Sequence, residues 1–222
     1  MNFMRAKNYA TTPVMEELRS LIGGLAIADR RQAAIARGLG WHIQVGALPP
    51  PIVGGRDGTV LDLEQPELAI NVPAGFAMMP LRINVETQIG LQTTDAHENE
   101  IIIGVDRTQV QTPGTSTVEV PMNMRTDIVA TAPFTCYSAY TADGVATPVI
   151  TELARKAGQV DVQGTAATLN VYQFDLLYEP RHPLMIVGPA HIAVYFGGNI
   201  ALPGFIQASV LAFPSNLLTG LS

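Results

Sequence analysis

The C-terminal third of the chain alternates apolar and polar residues with a period of two, which is typical of β-strands that bury one face. Three segments show the pattern in succession, at 168–178, 190–196 and 204–213. Their apolar positions are Tyr172, Phe174, Leu176 and Tyr178, then Ile192, Val194 and Phe196, then Ile206, Ala208, Val210 and Ala212. Glycine- and proline-containing turns separate the segments. Each strand is therefore expected to lie against a second layer.

The same alternation extends through most of the chain and predicts an all-β fold. The remaining strands are expected at about 59–63, 67–72, 79–89, 99–106, 117–120, 128–140, 149–156 and 184–187. No regular succession of strands and long helices occurs, which argues against a parallel α/β sheet. The expected architecture is an antiparallel two-sheet sandwich, a jelly roll, in a body that spans 59–222.

The composition fits this fold. The 222 residues include 20 glycines and 16 prolines, enough for many short strands joined by tight turns, and can bury a large core. Only 14% of the residues are charged, whereas about a quarter is usual. A surface covered by partner subunits would explain this shortage, and so would a large sandwich in which more than one sheet face is buried.

The N-terminal region predicts a helical arm. Thr12 can cap a helix over about 13–38, in which Leu18, Leu21, Ile22 and Leu25 form one apolar stripe and Arg37-Gly38 provides a stop. A triple proline and a Gly-Gly pair at 48–58 read as a linker. The arm is therefore placed at 1–47, and its removal is expected to leave a folded body.

Charge is unevenly distributed between the arm and the body. Residues 1–40 carry six basic and three acidic side chains, a net charge of +3. Because the whole chain has a net charge of −6, the remaining residues have a net charge of −9. An ordinary solvated helix explains the excess of positive charge, and so does an arm that faces an acidic neighbour or nucleic acid. The candidate partner-binding residues of the arm are Arg5, Lys7, Leu18, Arg30 and Arg31.

Catalytic and metal-binding motifs are not evident. The four histidines are scattered, and His191 is expected to be buried on a strand and to donate to a carbonyl group. The polar run 95–100 lacks the spacing of a calcium loop, and Cys136 is expected to be a buried, inert thiol. Four acidic residues lie on different predicted strands: Glu86, Glu119, Glu152 and Asp175. Sugar hydrolysis needs two carboxylates close together, and whether two of these meet depends on the fold. Neither a cofactor nor a metal is predicted. The N-terminus has no apolar stretch of the kind found in a secretory signal.

An ordered series of turn-and-strand phrases over about 72–214 resembles single jelly-roll virion structural proteins of tailed bacteriophages, which act as capsid cement or head-decoration components. The phrases are Val72-Pro73-Ala74-Gly75 leading into Met79–Val85, Pro121–Asp127, Thr135-Cys136-Tyr137 with Tyr140–Gly144, Thr151–Arg155, Val187-Gly188-Pro189-Ala190 leading to Val194-Tyr195, and Leu211-Ala212-Phe213-Pro214. The first seventy residues lie outside this resemblance.

The resemblance implies a non-enzymatic protein of the virion, assembled in the host cytoplasm. Its expected partners are copies of itself, as a trimer, and the major capsid protein of the same particle. Neither a membrane nor nucleic acid is an expected partner. Two alternatives stay open: the main shell-forming jelly-roll protein of a small virus, and a jelly-roll domain that binds or hydrolyses carbohydrate.

Overall fold

A computed structural model describes residues 30–46, 52–54, 61–89, 97–142, 148–160, 172–198 and 202–217. These ranges contain one short α-helix, thirteen β-strands and a terminal 3-10 turn. Their bounds are α1 Arg30–Ala36, β1 Gly40–Val45, β2 Ile52–Gly54, β3 Leu68–Val72, β4 Phe76–Ile89, β5 His97–Asp106, β6 Thr115–Glu119, β7 Met122–Asn123, β8 Cys136–Ala142, β9 Ile150–Val160, β10 Tyr172–Tyr178, β11 Ile186–Val187, β12 Ala190–Gly198, β13 Leu202–Pro214 and the 3-10 turn Ser215–Leu217.

The strands form two antiparallel sheets. Sheet A runs β10-β4-β13-β1-β7, with β11 beside β4 and β2 beside β13. Sheet B runs β6-β8-β3-β12-β5-β9. Every strand pair is antiparallel. The predicted all-β class with two antiparallel sheets is confirmed for the part of the chain that the structure describes.

The apolar faces of the two sheets meet in one core. The period-two positions of the predicted strands supply it, including Ile83 and Val85 of β4 and Ile206 of β13. Burying each such aliphatic side chain contributes about 1.5–3 kcal/mol. Phe196 approaches the backbone of β13 so closely that a Cβ atom on Gly204 would lie 2.7 Å from its ring. Glycine is therefore required at position 204.

The outer face of sheet B is buried as well. Ile102, Ala193 and Tyr195 form a second apolar cluster there, against Leu61 and Ile150. Strand β12 is therefore buried on both faces, although its alternation predicts one half-buried face. These buried faces agree with a large sandwich as one explanation for the low charge, and cover by partner subunits stays a prediction.

Helix α1 ends as the sequence predicts. Gly38 has φ +75°, the left-handed conformation in which a Cβ atom is strained, and its amide donates to the Ile35 carbonyl at 2.8 Å. Of the helix predicted over 13–38, only the last part lies within the described residues. The N-terminal helical arm thus stays a prediction.

Residues 40–45 belong to the body and not to the arm. Strand β1 pairs with β13 from Gly40↔Leu211 to Val45↔Ile206 and buries Trp41, Ile43 and Val45. The boundary predicted at the triple proline therefore lies too late in the chain, because β1 precedes it. The predicted linker 48–58 contains β2, which pairs with β13. The strand predicted at 59–63 is wrong over its described part, since 61–63 have no strand structure, and the strand predicted at 128–140 is confirmed only from Cys136 onward, in β8.

Candidate functional site

The most exposed apolar surface lies on one extended segment that joins the edges of the two sheets. Val118, Val120, Met122 and Met124 occur at every second position of this segment, and all four are exposed. Their exposed fractions are 65%, 83%, 62% and 36%. We call these four side chains the edge strip. Val129, fully exposed, follows shortly after it.

The residues between these positions hold the segment in place. Glu119 accepts a hydrogen bond from the Ser138 hydroxyl of β8, and the Asn123 side-chain amide donates to the Gly38 carbonyl at 2.7 Å. Strand β6 pairs only with β8 and β7 only with β1, so both are edge strands of the described sheets. The segment thus carries apolar side chains along an open sandwich edge, where backbone groups can pair with another chain.

The opposite side of the sandwich has a different character. Its edge strands, β9 and β10, carry charged side chains that pair with each other. Arg155 forms ion pairs with Glu100 and Glu152, while Lys156 donates to the Asp175 carbonyl at 2.7 Å and lies 4.5 Å from the Phe174 ring centroid. Charges on an edge strand oppose further strand addition. That side also exposes Leu177 and Val187, but its charged edge strands oppose strand addition, so the edge strip is the side better suited to pairing with a protein partner.

Of the predicted partner-binding residues, only Arg31 has a described side chain. Arg5, Lys7 and Leu18 lie outside the described residues, and Arg30 is described only by its backbone. Arg31 bonds within the chain, because its guanidinium donates to the carbonyl oxygens of Pro180 and Arg181 at 3.4 and 3.1 Å. Arg31 thus anchors α1 to the turn after β10. The edge strip was missed, because the alternation of VEVPMNM indicates an extended segment but not its position at the sheet edges.

A row of buried polar residues crosses the outer face of sheet B. Asn71, His191 and Asp106 lie opposite one another on β3, β12 and β5. The Nδ1–H group of His191 donates to the Gln109 carbonyl at 2.9 Å, which confirms the predicted buried histidine. Asn71 bonds to the Gln111 backbone through both its amide oxygen and its amide nitrogen. These bonds hold the segment after β5 over the sheet, so we assign the row a structural role.

The two ionisable groups of this row are tuned in different ways. Burial lowers the pKa of His191, and this outweighs the opposing effects of the Gln109 carbonyl and Asp106. Burial alone would raise the pKa of Asp106, but hydrogen bonds from Thr108, Val149 and Gln109 together bring it below its ordinary value. At neutral pH the row therefore holds a neutral imidazole beside a carboxylate that is fully hydrogen-bonded.

We expect the free energy of unfolding to decrease as the pH falls below about 6.5, the ordinary histidine pKa. The unfolded chain binds a proton at His191 in this range and the folded chain does not, so acid favours unfolding. The Asp106 contribution is lost only below its ordinary pKa of 3.8. Urea unfolding at pH 7.5 and 5.5 measures the effect. His191→Gln should reduce the difference between these two pH values, and an unchanged difference would contradict the assignment.

The acidic residues considered for sugar hydrolysis come together only in part. Asp175 and Glu86 are directly opposite on β10 and β4, and the Asn84 amide donates to Glu86 at 2.7 Å. Glu119 and Glu152 bond elsewhere, to Ser138 and Arg155. Among the described residues, no group of three or more metal-ligating side chains is present.

The remaining reactive or aromatic groups are enclosed. Cys136 is buried, as predicted, and burial, with a smaller effect of Glu119, raises the pKa of its thiol. Tyr140 and Tyr195 are buried, with hydroxyls that donate to the Thr112 and Leu63 carbonyls at 2.9 Å. Neither ring can stack on a sugar from solution. Both tyrosines pack and bond as structural residues.

Comparison with known proteins assigns no family, because no protein-family model, curated protein or solved structure matches the chain. Within the described ranges, no helix has the length and apolar content that crossing a bilayer requires.

Proposed function

We propose that this chain is a non-enzymatic virion structural protein, a capsid cement or decoration protein of a tailed bacteriophage that oligomerises and binds shell subunits. The observation that carries the proposal is the edge strip. Large apolar side chains at 62% to 83% exposure, at Val118, Val120 and Met122, favour contact with protein over contact with water. The resemblance over 72–214 to virion proteins of tailed bacteriophages is the reason for proposing a phage capsid as the partner.

The strand order supports a jelly-roll relationship within the sandwich class. Consecutive strands change sheets repeatedly: β3 lies in sheet B, β4 in sheet A and β5 in sheet B, and β12 and β13 again divide between the sheets. Strand β12 separates β3 from β5, so sheet B is not a simple meander. Both features are typical of Greek-key sandwiches, of which the jelly roll is one.

A low content of charged residues and exposed apolar edges suit a protein that functions by binding other proteins. Protein interfaces are depleted of charged residues at their centres and gain much of their affinity from a few buried anchors. Methionine in particular adapts to irregular partner surfaces. The basic residues of the arm, Arg5 and Lys7, add contacts to an acidic shell surface, and threefold symmetry would repeat each contact.

Quantitative mass spectrometry of virions from the phage that encodes this chain tests the proposal. We expect the chain in fixed stoichiometry beside a different and more abundant shell protein. If the chain is itself the most abundant protein, it is the shell-forming jelly roll instead. Absence from purified virions would overturn the proposal.

A further inference from the structure

The segment that carries the edge strip has few backbone hydrogen bonds of its own. Strand β6 has five residues, and its pairing with β8 shifts register between Thr115 and Thr117. Strand β7 has two residues and pairs with β1. In the described sheets, each of these strands has a neighbour on one side only. Short edge strands of this kind open easily, so contacts outside the sheets are needed to keep the segment extended.

Helix α1 supplies such contacts at its C-terminal end. The Arg125 guanidinium, one residue beyond the edge strip, donates to the Ala36 carbonyl at 2.7 Å. The Asn123 side-chain amide donates to the Gly38 carbonyl at the same distance. Carbonyl groups in the last turn of a helix lack partners within the helix, and a cation is favoured there. The edge segment thus provides the donors that the end of α1 needs.

Side chains of the two elements also meet, at the start of β1. The backbone N–H of Met124 donates to the Gly40 carbonyl at 2.9 Å. A Cβ atom on Gly40 would lie 2.8 Å from Ile35 Cγ1 and 3.0 Å from Met124 Sδ, so both side chains close over this glycine. Met124 is also the least exposed member of the edge strip, at 36%. Helix α1 therefore packs against one end of the edge strip.

The helix in turn depends on the body for its stability. It has seven residues, and isolated helices shorter than about 12–15 residues are marginal in water. At its N-terminal end, Arg31 donates to the carbonyl oxygens of Pro180 and Arg181. At its C-terminal end, the bond from Arg125 takes this part. The same contacts therefore order the end of α1 and hold the edge segment.

We propose that α1 is the support of the edge strip: α1 and residues 118–125 make or break their contacts together, and only the docked pair presents the edge strip for binding. Arg125 is the positioning residue of this unit, because it supplies the charged bond between the two elements. The binding part of the inference rests on the proposed function, whereas the coupling is a property of the free chain. Since coupling is reciprocal, a partner bound at the edge strip also protects α1.

Hydrogen exchange of the dilute full-length chain, read by peptide mass spectrometry, tests the coupling. For Arg125→Gln we expect exchange about tenfold faster or more in peptides that cover 34–40 and 118–128, because a bond from a charged donor is lost. Exchange in β12 should stay at the wild-type rate and show that the body is folded. In sedimentation velocity, the same variant should self-associate about tenfold more weakly or worse.

Three further variants isolate the bond to the helix. Arg125 also donates to Asp127 at 2.9 and 2.5 Å, so Asp127→Asn removes this exposed ion pair and keeps the contact with Ala36. It should match the wild type, since exposed ion pairs contribute little. Arg125→Lys retains a donor and should lie closer to the wild type than Arg125→Gln. Arg155→Gln is the matched control, because Arg155 is 51% exposed against 42% for Arg125 and pairs with carboxylates on the opposite side of the sandwich.

The two measurements separate the possible failures. Wild-type exchange in both peptides of Arg125→Gln would overturn the inference. Faster exchange with undiminished self-association would overturn it as well, because the edge strip would then bind without its support. An equal effect of Asp127→Asn would assign the effect to the ion pair and contradict the role of the Ala36 contact. A monomeric wild-type chain would contradict the proposed function instead, and exchange in the two peptides would still decide whether α1 and the edge segment are coupled.

Discussion

Deletion of residues 1–47 is expected to unfold the β-sandwich, whereas deletion of residues 1–29 is expected to leave it folded. The longer deletion removes β1, which lies between β13 and β7 in sheet A. It also removes Trp41, Ile43 and Val45 from the core. Truncating one large buried aromatic costs about 3–5 kcal/mol, and a domain is typically stable by only about 5–15 kcal/mol. Losing a whole strand therefore exceeds what the body can tolerate.

Circular dichroism and urea unfolding of the two truncated chains measure this difference. We expect a cooperative transition only for the chain that begins at residue 30. In the full-length chain, Trp41→Ala should lower the free energy of unfolding by about 3–5 kcal/mol. Gln44→Ala, at an exposed position of the same strand, should change it by less than about 0.5 kcal/mol. Equal midpoints for the two truncations would show that β1 is dispensable.

The long strands could be predicted from the sequence because their alternation is sustained. Strands β4 and β13 carry apolar residues on their core-facing side along most of their length, among them Ile83 and Val85 of β4 and Ile206 of β13. Shorter elements were predicted less well. The six-residue strand β1 lies just before the proline run at 49–51, where the sequence predicts the boundary between the arm and the body. Segment 128–135 is apolar enough to suggest a strand, yet it forms an irregular crossing in which Phe134 packs edge-on against Trp41 at 5.9 Å.

The candidate site could not be predicted because it depends on which strands lie at the edges of the sheets. The sequence predicts a strand at 117–120, which corresponds to the end of β6. The structure adds the short strand β7 directly after Pro121. Exposure of Val118 and Met122 then follows from β6 and β7 having a partner on one side only, and strand pairing is not encoded locally.

We expect Val118→Asp to dissociate the oligomer that we propose the wild-type chain forms. The substitution places a charge in the apolar edge strip, where association would have to desolvate it. The loss should reach at least about 2 kcal/mol, or about 30-fold in affinity, as for a central anchor of an interface. Val149→Asp is the matched control, because Val149 is 64% exposed against 65% for Val118 and lies before β9 on the charged side. Circular dichroism should show both variants folded.

Sedimentation velocity of the three full-length proteins at micromolar concentration is the most direct measurement of whether the edge strip binds protein. We predict a wild-type oligomer, with threefold stoichiometry as the expectation, an unchanged oligomer for Val149→Asp and a monomer for Val118→Asp. A wild-type chain that sediments as a monomer, or a Val118→Asp variant that assembles as well as the wild type, would contradict the edge strip as the assembly surface.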